Sequence, residues 1–183
     1  MNRQEALESI RENVENENLV KHMLATEAIM RALAGHMGGD EEEWGMAGLL
    51  HDIDVELTEG NMTSHSKLGA DIARDTGASE SIANAILCHN ETHGVYPETS
   101  MEKSLFCADP LTGLITAAVL VRPDKKIESL EAKSVRKRFK EKGFAAGARR
   151  EQIARCSDIG LEIDEFIAIG LEAMKGIAPQ LGL

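Results

Sequence analysis

The sequence holds few of the residues on which several common kinds of protein depend. One Trp, one Tyr and four Phe among 183 residues leave too few flat faces to stack a run of bases. Cys88, Cys107 and Cys156 are odd in number, lack a CxxC spacing and lie in apolar helical stretches, so buried free thiols are expected rather than disulfides or a zinc ribbon. Four prolines, no Pro/Ser-rich tract and no internal repeat give no place to divide the chain, and one domain over residues 1–183 is expected, large enough to bury a core without staples. No run approaches the ~20 apolar residues that would span a bilayer, and the first twenty residues carry charges of both signs. A cytoplasmic protein with no membrane partner is the expectation. GxSxG, GxGxxG and Walker patterns are absent as well, which leaves neither a nucleophile elbow nor a glycine-rich phosphate cradle.

Helical periodicity is present almost throughout, and alternating β-branched or aromatic runs are not. Ala6, Leu7, Ile10 and Val14 form one stripe over residues 3–16. A second helix over 18–37 stops at Gly38-Gly39, Asp40 caps a third through His51, and residues 54–62, lacking either period, form a loop. Ser64 opens a helix ending near Gly77, and Ser79 caps another running to about His89. Met101 to Val121 is helical, with Pro110 expected to kink or restart the helix right after Asp109. After a turn at 122–126, helices are expected over 130–142, 149–156 and 163–177. The fold class is all-α, a bundle whose body is about residues 18–121 with a helical appendage at 123–183.

Charge is distributed unevenly. Residues 122–150 carry eleven Lys and Arg against four Asp and Glu, while the rest of the chain carries nine against twenty-seven, for a net charge of −11. A basic stretch in an acidic protein can draw a small anionic substrate to one face; the plainer reading is a solvated helix paired with acidic neighbours. Nucleic acid is not expected as a partner, given the overall acidity and scarce aromatics.

His51 and Asp52 end the apolar run Trp44-Gly-Met-Ala-Gly-Leu-Leu-His-Asp-Ile53. An unpaired imidazole and a charged carboxylate would both be costly to bury there, and a metal relieves both costs. Neutral imidazoles each offer a nitrogen lone pair to a divalent cation, and a carboxylate can bridge two. His22, His65, His89 and Asp109 fall around this pair in the sequence as further candidate ligands. His93, four residues after His89, would share its face on a continuous helix, but Asn90, Thr92 and Gly94 suggest the helix ends first, which makes His93 a supporting residue. Asp54, Glu56, Glu91 and Glu98 read as loop acids.

These residues and their contexts resemble the HD-domain superfamily of metal-dependent phosphohydrolases. His22 in Leu19-Val-Lys-His-Met, His51-Asp52 in Leu49-Leu-His-Asp-Ile53 and Asp109 in Leu105-Phe-Cys-Ala-Asp-Pro-Leu111 match its isolated His, its His-Asp pair and its distant Asp. His65 in Ser64-His-Ser-Lys-Leu and His89 in Ala85-Ile-Leu-Cys-His-Asn90 resemble the extra histidines of branches holding two metals. Many members continue His-Asp-Ile-Gly-Lys, where this chain has His51-Asp-Ile-Asp-Val55, so a lysine that commonly holds phosphate has no counterpart there. Either Lys67 or the basic segment takes its place, or the substrate is not an ordinary phosphoester.

The resemblance implies a hydrolase acting on a phosphoester or phosphoanhydride of a small, nucleotide-like molecule. In it Asp52 bridges two divalent ions, His22, His51 and Asp109 complete one coordination shell, His65 and His89 the other, and Lys67 or a basic residue of 122–150 orients the phosphate. Fe, Mn, Co, Ni and Zn all suit such a mixed shell, and a single-metal site of His22, His51, Asp52 and Asp109 stays open. So do two other classes: a mixed-valent di-iron oxygenase of the same superfamily, and a non-catalytic metal- or ligand-binding module.

Overall fold

Asn2, Asn16, Asp40, Ser79 and Thr99 each precede a helix and accept a backbone N–H of its first turn, which satisfies donors that have no partner within the helix. In the computed structural model, which describes residues 1–183, the chain forms ten α-helices and no strand. They are α1 (Arg3–Asn13), α2 (Glu17–Met37), α3 (Glu41–Leu50), α4 (Lys67–Asp75), α5 (Glu80–Cys88), α6 (Ser100–Leu120), α7 (Ala132–Lys140), α8 (Arg150–Ala154), α9 (Ile163–Gly176) and α10 (Ala178–Leu181), with single 3₁₀ turns at Glu91–His93 and Arg155–Ile159. The fold class is therefore all-α, as the periodicity implied. Gly38, at φ 73°, ends α2 in the left-handed conformation that glycine adopts without steric cost.

The two longest helices, α2 and α6, form the centre. α2 packs against α3, α6 and α9, and α6 against α5, α7 and α8. Ile29, Met30 and Leu33 of α2, Leu49 and Leu50 of α3, Leu105, Leu111 and Ile115 of α6 and Phe166 of α9 have no exposed surface. Each such side chain contributes about 1.5–3 kcal/mol over its exposed state. One continuous core runs from Ala6 in α1 to Leu181 in α10, so the helices after residue 122 bury their apolar faces in the same interior. The three cysteines are free and buried. Against the expectation that no run approaches a membrane span, α6 is long and apolar enough, by length and composition, to cross a membrane; two thirds of its most apolar window is buried within the protein.

Pro110 does not restart α6, which is one helix from Ser100 to Leu120. Proline removes one N–H and crowds the preceding turn, but Leu105, Leu111, Leu114 and Ile115 on either side are fully buried, and that packing holds both halves in one element.

The contact that positions the site is the crossing of α3 over α2 at Gly48. A Cβ at Gly48 would lie 2.8 Å from the Thr26 carbonyl oxygen and 2.9 Å from the Glu27 nitrogen, so only a hydrogen fits between the two backbones. Gly48→Ala is expected to lower stability by about 1–3 kcal/mol through overpacking, read as a lower urea midpoint. An unchanged midpoint would show that the two helices can separate without cost.

Candidate metal centre

α2 carries His22 through the middle of the bundle, and the Gly48 contact sets the end of α3 beside it. His51 follows the last residue of α3, and Asp52 comes one residue later. α6 delivers Asp109, and the end of α5 delivers His89. His65 arrives on the turn before α4. All six candidate ligands converge on one point.

The Asp52 carboxylate divides them into two groups. Its Oδ2 lies 3.3 Å from His22 Nε2 and 3.4 Å from His51 Nε2, with Asp109 Oδ1 at 3.2 Å and 3.8 Å from the same two nitrogens. Its Oδ1 lies 3.5 Å from His65 Nε2 and 3.4 Å from His89 Nε2. The imidazoles within each group face each other, His22 and His51 at 3.1 Å and His65 and His89 at 3.2 Å between Nε2 atoms. His51 is fully buried and His65 and His89 nearly so, while Asp52 and Asp109 keep an edge in a small cleft.

The outer nitrogens fix how each ring is turned. His51 Nδ1 donates to the Gly48 carbonyl at 2.9 Å and His89 Nδ1 to the Ile86 carbonyl. His65 Nδ1 donates to Asp54 Oδ1 at 2.8 Å. The Thr112 hydroxyl donates to the Asp109 carbonyl at 2.7 Å, which leaves its oxygen to accept from His22 Nδ1 at 2.8 Å. With Nδ1 protonated in every ring, four Nε2 lone pairs and two carboxylates point at the same small volume, and each lone pair faces another with no proton between them. That donor set suits a divalent cation and leaves the neutral rings without a partner otherwise.

Without a cation, protons fill the role. Burial is the largest influence on His22 and opposes its charge, but hydrogen bonds to Asp109 and Asp52 outweigh it and raise the imidazole to about 9. His51 is likewise raised well above its ordinary value, Asp52 and Asp109 prevailing over burial. Burial works against ionisation of Asp52 and Asp109 too, yet the surrounding imidazoles hold both well below the usual carboxylate range.

A profile of the HD domain matches residues 19–139, a span that contains every residue of this cluster. The chain belongs to the HD-domain family. Among its relatives, Ribonuclease Y of Sulfurovum sp. (strain NBC37-1) is 34% identical over 165 residues, which is 88% of this chain and 32% of that protein. Ribonuclease Y of a Nitratiruptor species is 34% identical over 139 residues, 74% of this chain and 26% of the relative, and that of Campylobacter concisus (strain 13826) is 33% identical over 165 residues, 88% and 31%. The chain thus spans about a third or less of the length of these relatives. At the superfamily level, HD-domain membership supports metal-dependent phosphohydrolase chemistry.

Several HD-domain positions lie differently from the sequence expectation. Lys67 does not reach the cleft: it is the first residue of α4, exposed, and absent from the cleft lining. α4 begins there rather than at Ser64, because Asp54 takes over the role of a cap. Its fully buried carboxylate accepts from the Ser66 and Gly69 backbone nitrogens at 2.7 and 2.8 Å as well as from His65. This sets the start of the helix, with Lys67 exposed at its first position. Asp54, read from sequence as a loop acid, is therefore the residue that orients His65. Its signal was its place two residues after Asp52, where many members carry glycine. Glu56 accepts from the backbone nitrogens of Glu15 and Asn16 and ties the same loop to the start of α2.

His93 stays out of the cluster and donates to the His65 carbonyl at 2.6 Å, while the buried Asn90 amide donates to the Met62 and His65 carbonyls. The basic helix α7 also stays out: Arg136 pairs with Asp164 and Arg138 with Glu141. From the basic segment, Arg149 alone lines the cleft.

The charge pairing has a pH signature. In the metal-free protein the raised His22 contributes stability that is fully present below its unfolded value of about 6.5 and is lost as pH rises through about 9. The lowered carboxylates contribute stability that is present above about pH 4 and lost as pH falls. Resistance to urea is therefore expected to be greatest between about pH 4 and 6.5 and to weaken toward about pH 9, and added divalent metal, which takes deprotonated imidazoles, should abolish the alkaline weakening. Urea midpoints near pH ~6 and ~9.5, with chelator and with metal, check this; a chelated midpoint that rises with pH would contradict it.

Proposed function

We propose that this protein hydrolyses a phosphodiester or phosphoanhydride of a small nucleotide-like substrate at a centre holding two divalent metal ions. The observation that carries the reading is the Asp52 carboxylate, which turns one oxygen to His22 and His51 and the other to His65 and His89. His22, His51, Asp52 and Asp109 would hold one ion, and His65, His89 and Asp52 the other. Fe, Mn, Co, Ni and Zn all suit this donor set. Metal bound there would supply a water whose pKa is lowered toward about 7, and positive charge to set against a phosphoryl group.

The chain's own residues do the rest. Gly48, Ile86 and Thr112 fix the ring orientations of His51, His89 and His22, and Asp54 fixes that of His65, so the ligand set requires little rearrangement to accept metal. The buried surroundings of His51, His65 and His89 exclude bulk water from one side, leaving the cleft as the face open to substrate. No side-chain nucleophile is required. The cleft is open to solvent on one side and has a volume of about 160 Å³. The relatives' name brings ribonucleic acid into consideration, against the expectation drawn from charge and aromatic content.

Asp52→Ala is expected to lose both metal, by elemental analysis, and turnover of a chromogenic phosphodiester, dinucleotide or short RNA. Full metal content with unchanged turnover would overturn the site. Oxygen uptake by iron-loaded protein without turnover of any phosphoester would favour the oxygenase class instead.

His65→Ala and His89→Ala are each expected to lower metal content from about two ions per chain toward one, since loss of one of few protein ligands weakens a site steeply. His93→Ala should leave it unchanged. Stoichiometry equal to wild type in both ligand variants would favour the single-metal site.

A further inference from the structure

Arg149 is the one Lys or Arg among the residues lining the cleft, which it shares with Asp52, His65, His89 and Asp109. Its backbone is held firmly and its side chain is not. The neighbouring Arg150 guanidinium donates to the carbonyls of Phe144, Ala145 and Ala148, which fastens the loop leading into α8. The Arg149 side chain makes one ion pair, Nη1 to Glu91 Oε2 at 3.3 Å, and the two side chains are 44% and 54% exposed. A single exposed pair of this kind is weak and exchanges readily for a better partner. A phosphoryl group is a better partner, because a guanidinium can meet two of its oxygens at once. Val55, where many HD-domain members carry lysine, lines the same cleft and offers it no charge.

We propose that Arg149 binds a phosphoryl oxygen of the substrate beside the ligand cluster, and that its ion pair with Glu91 holds the guanidinium until the anion displaces it. The proposal rests on the hydrolase reading only for the identity of the anion. In a protein of net charge −11, a cationic group at this place offsets the carboxylates that would otherwise repel a phosphate. Glu91 then acts as a competitor of the substrate, so removing its charge favours binding while removing Arg149 opposes it.

The test is calorimetric titration of inorganic phosphate into the metal-loaded full chain and its Arg149→Gln, Arg149→Lys and Glu91→Gln variants, with metal content measured for each. Arg149→Gln is expected to weaken phosphate binding by about ten- to a hundredfold, the loss of charge-assisted hydrogen bonds, and Arg149→Lys to retain part of it. Glu91→Gln is expected to tighten binding by up to about fivefold. Opposite signs are the discriminating result, because a purely structural ion pair would be broken equally by either change. Equal weakening in both, no change in Arg149→Gln, or no phosphate binding by the wild type would overturn the proposal. Kinetics separate it from the hydrolase reading. Binding with the expected pattern but no turnover of any phosphoester defeats the hydrolase and leaves the anion site, whereas turnover with an unchanged KM in Arg149→Gln defeats the anion site and leaves the hydrolase.

Discussion

One carboxylate facing four imidazoles is the constraint on which the rest of this structure depends. Asp52 stands at the meeting point of α2, α3, α5, α6 and the turn before α4, and each contributes a group within 4 Å of its oxygens or of its imidazole partners. Such a concentration of lone pairs and negative charge opposes folding unless something positive enters it. Protons on His22 and His51 serve in the metal-free state, which is why those imidazoles are raised while Asp52 and Asp109 are lowered. A divalent cation meets the same demand at higher pH. Stability and metal binding are thus two expressions of one electrostatic requirement.

The surrounding packing keeps this cluster rigid. α2 and α3 touch backbone to backbone at Gly48, and the carbonyl of that glycine accepts from His51, so the residue that permits the crossing also orients the ligand it brings in. On the other side Asp54 does the same for His65 while setting the start of α4. Neither interaction reaches a substrate. Both determine whether the imidazole nitrogens arrive where metal chemistry needs them.

The basic segment contributes to this arrangement in an uneven way. Five of its eleven cations lie on α7, paired with acidic neighbours or turned to solvent, and that helix serves the core through Val135. Arg150 is consumed in bonding loop carbonyls. Arg149, next to it, reaches the cleft, so a property spread over almost thirty residues of sequence comes to bear on the site through one side chain.

Much of the fold was legible because it rests on local physics. Asp40, Ser79 and Thr99 cap helices through bonds to residues two or three positions away, and Gly38 ends α2 through its own backbone conformation; such signals need no knowledge of the rest of the chain. The ligand residues were legible for a different reason: a His-Asp pair ending an apolar run is costly to bury unless something compensates it, and the matching contexts of His22 and Asp109 pointed to what does. Pro110 did not restart the helix, because burial on both sides overruled that local preference. The roles of Asp54, Lys67 and Arg149 were left unresolved for the same kind of reason. Whether a loop acid orients a histidine, or which of twenty cations lines a cleft, depends on neighbours far away in sequence. The residue types determined the chemistry available to this protein, and only the packing of helices at backbone distance decided which of those residues share one small, partly dry volume.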